Sequence, residues 1–461
     1  MIAVLPFSDL SENENGRYFS QGMTEEIITQ LGRTAPAGVG VIAGTSVWRY
    51  HGQNPPPRAL GDELGAAYVL AGSLRREGSA LRINARLLRT RDELQLWAEA
   101  FDGASGDALA LQERVAQAAA QAVARELRRA AGPGMEARGR IDPRAYDLYL
   151  RGRFYWNQRN ESSLLLAIDY FQQALTHAPA YAPAFAALAD VYAALVYGCY
   201  LAPTEGFSQA RAAVERARTL DPASAEALAS DGYLKMYFDW DFDAAERSFE
   251  ASIAANPSYA PAREWLGVLL TAREKPGPAR AALEQAVRLD PGSLPSATNL
   301  GFHLHYSGHD REARQVLARV VARDPNFGLA HFWMGRVLNA EGDCNGALAE
   351  LASVPSTMAQ WQPLIAARGY VEGNCGAPER ARAEIAALSE LAKTRFVTSY
   401  GMALIAAGLG EKDTALTWLR KAIEERSHWM VWINLDPRFA ALRPDPRFQE
   451  LARKVFSRRE F

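Results

Sequence analysis

Residues 257–291 read PSYAPAREWLGVLLTAREKPGPARAALEQAVRLDP, and this stretch decides the fold. Its first half carries Leu266-Gly267, with Leu270 beyond; its second half carries Ala279, Leu283 and Ala286 ahead of Pro291. Residues three and four apart share one helix face, so each half predicts a helix with a close-packing stripe. Proline ends the second helix because it lacks an N–H and clashes with the preceding turn. The same string returns on both sides. Ala245, Phe249, Ser252 and Pro257 precede it, Ala313, Leu317, Val320 and Pro325 follow it, and successive prolines are 34 residues apart. Looser copies lie at Ala167, Phe171, Ala174 and Pro179, and at Ala210, Val214, Ala217 and Pro222. The first helices repeat as well, through Leu300-Gly301 with Leu304 and Met334-Gly335 with Leu338. Such a unit cannot bury its apolar face alone, so the period predicts stacked helix hairpins.

A 34-residue helix–turn–helix unit of this pattern resembles the tetratricopeptide repeat, TPR. The resemblance implies an all-α, right-handed superhelix over 142–434 with about eight repeats. The pattern loosens beyond Ala347, Leu351 and Val354. Gly369, Ala381, Ile385 and Leu388 suggest a seventh unit, and Ala403, Ala415, Leu419 and Ala422 an eighth. Residues 435–461 resemble a terminal cap, expected to lay Phe439, Leu442, Phe448 and Leu451 over the last repeat edge.

Residues 1–130 read differently, as a small α+β domain. Ile2–Pro6 and Val39–Ala43 are short strands. Tyr18–Leu31 is a helix with Thr24 as its N-cap, and Arg58–Leu64 is another. Ala67–Leu74 and Leu81–Leu88 form a hairpin around Glu77-Gly78-Ser79, with Leu81, Ile83, Ala85 and Leu87 facing the core. Leu94–Phe101 is a strand and Gln112–Arg129 a helix. The segments IAVLPF (2–7), YFSQGMTEEIITQL (18–31), YVLAGSLRREGSALRINARLL (68–88) and LWAEAFD (96–102) resemble the bacterial TolB-like N-terminal domain. That resemblance implies a binding module without an active site. Similar TolB-like plus TPR tails follow winged-helix DNA-binding, class III nucleotide cyclase or protein-kinase domains in bacterial signalling proteins. A Gly/Pro/Arg-rich linker at 131–141 is expected to separate the two parts.

Composition narrows the function. Across 461 residues the net charge is −2, which argues against nucleic-acid binding driven by overall positive charge. No run approaches the ~20 apolar residues of a membrane helix. Three cysteines cannot build a disulfide framework or a four-thiolate zinc site. Walker A, Rossmann, HExxH, kinase and nucleophile-elbow signatures are all absent, so no enzyme and no cofactor is expected. Asp239, Asp241, Asp243 and Glu250 imitate a calcium loop, but Ala244 stands where glycine is required, and the segment reads as an inter-helix turn. His303, His305, His309 and His331 read as surface and groove positions rather than a metal site. Cys344 and Cys375 fall in adjacent inter-helix turns, which stacked repeats usually hold farther apart than a disulfide spans; two free thiols are expected, and a bridge is the alternative, which would imply an oxidising compartment.

The aromatic residues point to binding. In a TPR superhelix the first helix of each unit lines the concave surface. Tyr233, Tyr237, Trp265, Phe302, His305, Tyr306, Phe332, Trp333, Arg336 and Asn339 fall there, in excess of the Leu/Gly/Ala core set. They are expected to form a groove for a protein or peptide, with inter-repeat packing and self-association as the competing uses. The expected location is the cytoplasm, or the periplasm if an upstream membrane anchor exists.

Overall fold

The computed structural model describes residues 1–11, 16–35, 39–53, 55–77, 80–126, 142–156 and 160–456. The linker at 131–141 and the turn residues Gly78 and Ser79 lie outside the described residues.

The N-terminal domain has strands β1 (Ile2–Val4), β2 (Ser8–Asp9), β3 (Tyr68–Glu77), β4 (Ala80–Arg89) and β5 (Gln95–Ala104). Its helices are α1 (Gly16–Thr34), α2 (Gly44–Val47), α3 (Pro57–Leu64) and α4 (Ala108–Glu126). β1 and β2 run parallel to β3, Ile2 opposite Tyr68 and Ser8 opposite Ser73, while β3, β4 and β5 form an antiparallel meander. On β4, Leu81, Ile83, Ala85 and Leu87 are buried and Arg82, Asn84 and Arg86 exposed, as strict alternation requires. The buried row packs with Met23, Ile27 and Leu31 of α1 and Leu111 and Val115 of α4. On the other face, Ala3, Leu5, Val69 and Ala71 meet Val47 of α2 and Leu60 and Leu64 of α3.

Two local expectations are corrected here. Val39–Ala43 is not a strand: it contributes one parallel bridge, Ile2 to Val41. The chain then leaves the sheet to dock on the helices, the Ala43 N–H donating to the Leu289 carbonyl at 3.0 Å. Thr24 is not an N-cap, because α1 starts at Gly16. Buried within the helix, its hydroxyl donates to the Ser20 carbonyl (2.8 Å) and accepts from the Phe7 N–H (3.1 Å).

Eight helix pairs follow among the described residues: α5–α6 (Pro143–Trp156, Glu161–His177), α7–α8 (Ala182–Tyr197, Pro203–Leu220), α9–α10 (Ala225–Leu234, Phe242–Ala255), α11–α12 (Ala260–Ala272, Pro276–Leu289), α13–α14 (Leu294–Tyr306, Asp310–Arg323), α15–α16 (Gly328–Ala340, Cys344–Ala352), α17–α18 (Gln362–Asn374, Pro378–Leu391) and α19–α20 (Ser399–Gly408, Lys412–Glu424). The repeated glycines set the hairpin distance. A Cβ on Gly267 would lie 2.5 Å from Leu283 Cγ, and on Gly301 or Gly335 2.8 Å from Leu317 or Leu351. Asp221, Asn256, Asp290 and Asp324, each before a proline, end their helices at φ between −135° and −144°. A second 34-residue period lies in the turns within pairs. Trp240, Glu274, Gly308, Gly342, Gly376 and Gly410 all take positive φ, from 55° to 86°. The array therefore keeps its register through the seventh and eighth pairs, where the side-chain pattern loosens.

The superhelix turns far enough for its seventh pair to meet the first two. Arg395 beyond α18 pairs with Glu161 of α6 at 3.4 Å, and the Gln362 amide donates to the Cys199 carbonyl at 3.1 Å. After α20 the chain enters the concave interior as a tight turn at His428–Trp432 and a second at Pro437–Leu442, followed by α21 (Pro446–Phe456), the last element among the described residues. The cap residues Phe439, Leu442, Phe448 and Leu451 are buried. Phe456 stacks on Phe242 of α10, ring centroids 5.1 Å apart.

Candidate functional site

The concave interior holds the expected aromatic residues, and the structure brings most of them together. Tyr233 packs on Tyr237 (4.5 Å between centroids) and Trp265 (4.7 Å). Phe302 packs on Tyr306 and Trp333, each at 4.8 Å, and Phe332 on Trp361 at 4.9 Å. The guanidinium of Arg336 lies 4.2 Å from the Trp333 ring centroid.

They do not line an open groove. Tyr233, Tyr237, Phe302, His305, Tyr306, Phe332, Trp333 and Arg336 are buried, and Trp265 and Asn339 half-buried. The covering element is the chain's own segment Ser427–Arg438. Trp432 enters between Phe302 (4.9 Å) and Tyr306 (5.6 Å), with Tyr237 at 6.5 Å. His428 sits among Tyr197, Tyr237 and Trp429, and burial pushes its imidazole down to about 3. Met430, Val431 and Ile433 are fully buried. The aromatic excess is thus the wall of an occupied channel. His305 packs on Tyr306 (5.7 Å) and Trp333 (6.3 Å) while its Nδ1 bonds Asp310 (2.6 Å), and Asn339 lies beside Cys375 Sγ (4.0 Å).

Asp436 anchors the segment. Fully buried, its carboxylate accepts from Arg438 Nε (2.8 Å) and Nη2 (2.6 Å), Tyr400 OH (3.1 Å) and Arg336 Nη2 (3.4 Å). Burial pushes its pKa up, but Arg438 and then Arg336 outweigh burial and hold it well below the usual carboxylate range. Two buried guanidiniums thus share one carboxylate, and Arg336 Nε and Nη1 have no hydrogen-bond partner. Sequence reasoning missed Tyr197, Tyr400, His428, Trp432, Asp436 and Arg438. The signal was the run HWMVWINL (428–435), too apolar for a surface cap.

A second polar cluster joins the N-terminal domain to the array. Thr45 and Ser46 donate to the Asp290 carboxylate, the Ser46 bond at 2.5 Å, and the Gly292 N–H donates to Ser46 Oγ at 2.5 Å. Tyr149 of α5 donates to buried Glu26 (3.1 Å), Arg153 pairs with Glu25 (2.9 Å), and Arg33 with Glu226 (3.1 Å). The α/β domain is therefore seated on α5, the start of α9 and the turn after α12.

Three further expectations are corrected. Cys344 and Cys375 do pair, with Cα atoms 6.1 Å apart. Cys344 opens α16 and Cys375 follows α17, on one edge of stacked units. His303 is not a surface residue: buried, its ring accepts or donates at Thr271 Oγ1, 2.8 Å away. Its pKa is lowered to about 4, by burial first and then by Arg280. His331 is also buried, between Glu350 (2.6 Å) and the Pro325 carbonyl (3.0 Å). The acidic turn is occupied by protein partners: Asp239 pairs with Arg211 (2.6 Å), Asp243 with Arg273 (2.7 Å), and Asp241 caps α10 through the Ala244 N–H (2.9 Å).

Comparison with known proteins agrees with this division. Residues 1–118 match the family model of the HilA/YgeH-like transcriptional regulator, second domain, and residues 241–293 match a tetratricopeptide repeat model. The first match falls on the segment whose motifs resemble the TolB-like domain. A curated protein named "Putative adenylate cyclase 3" from Rhizobium meliloti (strain 1021) is 37% identical over 190 residues, 41% of this chain. The match spans 32% of that relative's length. Among solved structures, a tetratricopeptide repeat protein from Parabacteroides merdae ATCC 43184 shares 12% identity at TM-score 0.40, covering 58% of this chain and 100% of that one. The Cut9–Hcn1 hetero-tetramer shares 15% identity at TM-score 0.45, covering 67% and 55%. The chain is an N-terminal domain similar to a regulator domain, followed by a TPR array. Among the described residues no helix is long and apolar enough to cross a membrane.

Proposed function

We propose that this chain is a non-catalytic, protein-binding regulatory module of a bacterial signalling protein, and that it serves as the sensory tail of a transcriptional regulator or nucleotide cyclase. The match of residues 1–118 to a regulator's second domain carries the reading. The relative named as an adenylate cyclase favours a cyclase among the effector heads. The TolB-like resemblance adds a domain type that precedes TPR arrays in such proteins. The tail itself contacts no nucleic acid and uses no cofactor; it binds protein and passes the event to its effector through the seated α/β domain.

The test is the reading frame ahead of Met1 at the natural locus. A DNA-binding, cyclase or kinase domain in frame supports the tail reading, and removing residues 1–461 then changes that domain's output. A stop codon directly upstream overturns it in favour of a stand-alone adaptor. The cytoplasm suits such an effector. The Cys344–Cys375 bridge favours the periplasm instead. Thiol trapping in intact cells separates the two: free thiols place the module in the cytoplasm, a disulfide in the periplasm.

A further inference from the structure

The array's concave channel and the segment inside it are complementary in a way that a plain hydrophobic core does not need. The channel supplies two phenols, Tyr306 and Tyr400, and one guanidinium, Arg336, all converging on the carboxylate of Asp436. It also supplies the aromatic slot that takes Trp432, one helical turn earlier in sequence. The segment reaches the channel as two short turns joined by tight bends, not as a ninth helix pair. It therefore meets the array as a peptide meets a receptor: anchor side chains in separate pockets, and a charge answered by donors from three different repeats.

We propose that the concave channel is a peptide-binding site whose resident ligand is the chain's own segment Ser427–Arg438, recognised through an aromatic residue followed four positions later by a carboxylate. An external partner enters this site only by presenting the same pair and displacing the segment. Arg336 is selective for the carboxylate, because without it the channel's own guanidinium stays buried with no counter-charge. The aromatic slot is selective for a large flat ring, because a smaller side chain leaves it part empty. This inference rests on the reading of the array as a protein-binding unit and names what that unit recognises.

The experiment uses the full chain with a specific protease site inserted at exposed Glu424, ahead of the segment. After cleavage of the folded protein, the fragment of residues 425–461 is expected to co-elute with the array. A fluorescent synthetic peptide of residues 427–461 is expected to exchange into it. Peptides carrying Asp436→Asn or Trp432→Ala are expected to compete roughly 10–100-fold more weakly. Loss of the fragment without rebinding, or equal competition by all three peptides, overturns the proposal. Uncut Asp436→Asn provides the second measurement. Hydrogen exchange is expected to quicken in 427–438 while α5–α20 stay protected. If all the helices lose protection together, the segment is ordinary core and the proposal fails. None of these outcomes depends on the effector, so the proposal can fail while the signalling reading stands.

Discussion

Ser46 and Asp290, 244 residues apart in sequence, share a hydrogen bond of 2.5 Å that fastens the N-terminal domain to the turn between the fourth and fifth helix pairs. Asp290 owes its place to the proline after it. The pre-proline position is driven extended, which ends α12 and leaves the carboxylate free to face another domain. A residue that punctuates the repeat thus also seats the α/β domain.

Asp290→Ala leaves the Thr45 and Ser46 hydroxyls without their acceptor. The expected cost is about 1–3 kcal/mol, confined to docking. Hydrogen exchange checks it: amides of residues 43–48 should exchange faster while the centre of the array is unchanged. Unchanged exchange at 43–48 would show that the apolar contacts alone seat the domain.

Trp333→Ala with Arg336→Ala tests whether these residues are core. Both are buried, and together they remove an indole and a partner of buried Asp436. A loss of about 3–5 kcal/mol is expected, seen as a lower midpoint in urea. A midpoint equal to the parent's would place both side chains at a surface instead.

Acid should loosen the protein in a defined window. His428 titrates at about 3 and His303 at about 4 when folded, both held down chiefly by burial. Unfolded histidine titrates near ~6.5, so below that pH the unfolded chain binds protons that the folded chain refuses. Stability is therefore full above about pH 6.5 and falls as pH drops toward 4, by up to about 1.4 kcal/mol per unit for each histidine. Thermal melts from pH 8 to 4 measure the slope. His428→Phe, which suits the aromatic surroundings of that ring, should make the slope shallower without lowering the melting temperature at pH 8.

Cys344 and Cys375 close a loop across a sequence separation of 31. The chain-entropy relation gives about 3–4 kcal/mol for such a loop. Reductant should lower the denaturation midpoint of the parent and leave Cys375→Ser where it already is. A reductant effect of equal size on Cys375→Ser would assign the stabilisation elsewhere.

The repeat architecture was legible because its cause is local. Ala279, Leu283 and Ala286 are neighbours on one helix, and Pro291 ends it wherever it occurs. The turn period was half hidden, because Trp240 and Glu274 occupy left-handed positions that Gly308, Gly342, Gly376 and Gly410 mark openly. Helical spacing puts the aromatic residues of the first helices on one surface. What covers them was not legible, because periodicity reports neighbours three and four residues away. Tyr306 and Asp436 are 130 residues apart, and the tail bears no repeat signature. The disulfide is not legible for a related reason: generic unit spacing does not reveal that Cys344 starts one helix and Cys375 follows another on the same edge.

The meeting of Arg395 with Glu161 has a consequence for evolution and mechanics. An open solenoid can gain or lose a unit by duplication, stretch like a spring and fold outward from any point. This array cannot. Adding or removing 34 residues would shift Arg395 past Glu161 and carry Trp432 out of its slot. The unit number is locked by closure, and contacts between the seventh pair and the first two give the chain the long-range topology of a globular protein, with slower, more all-or-none folding.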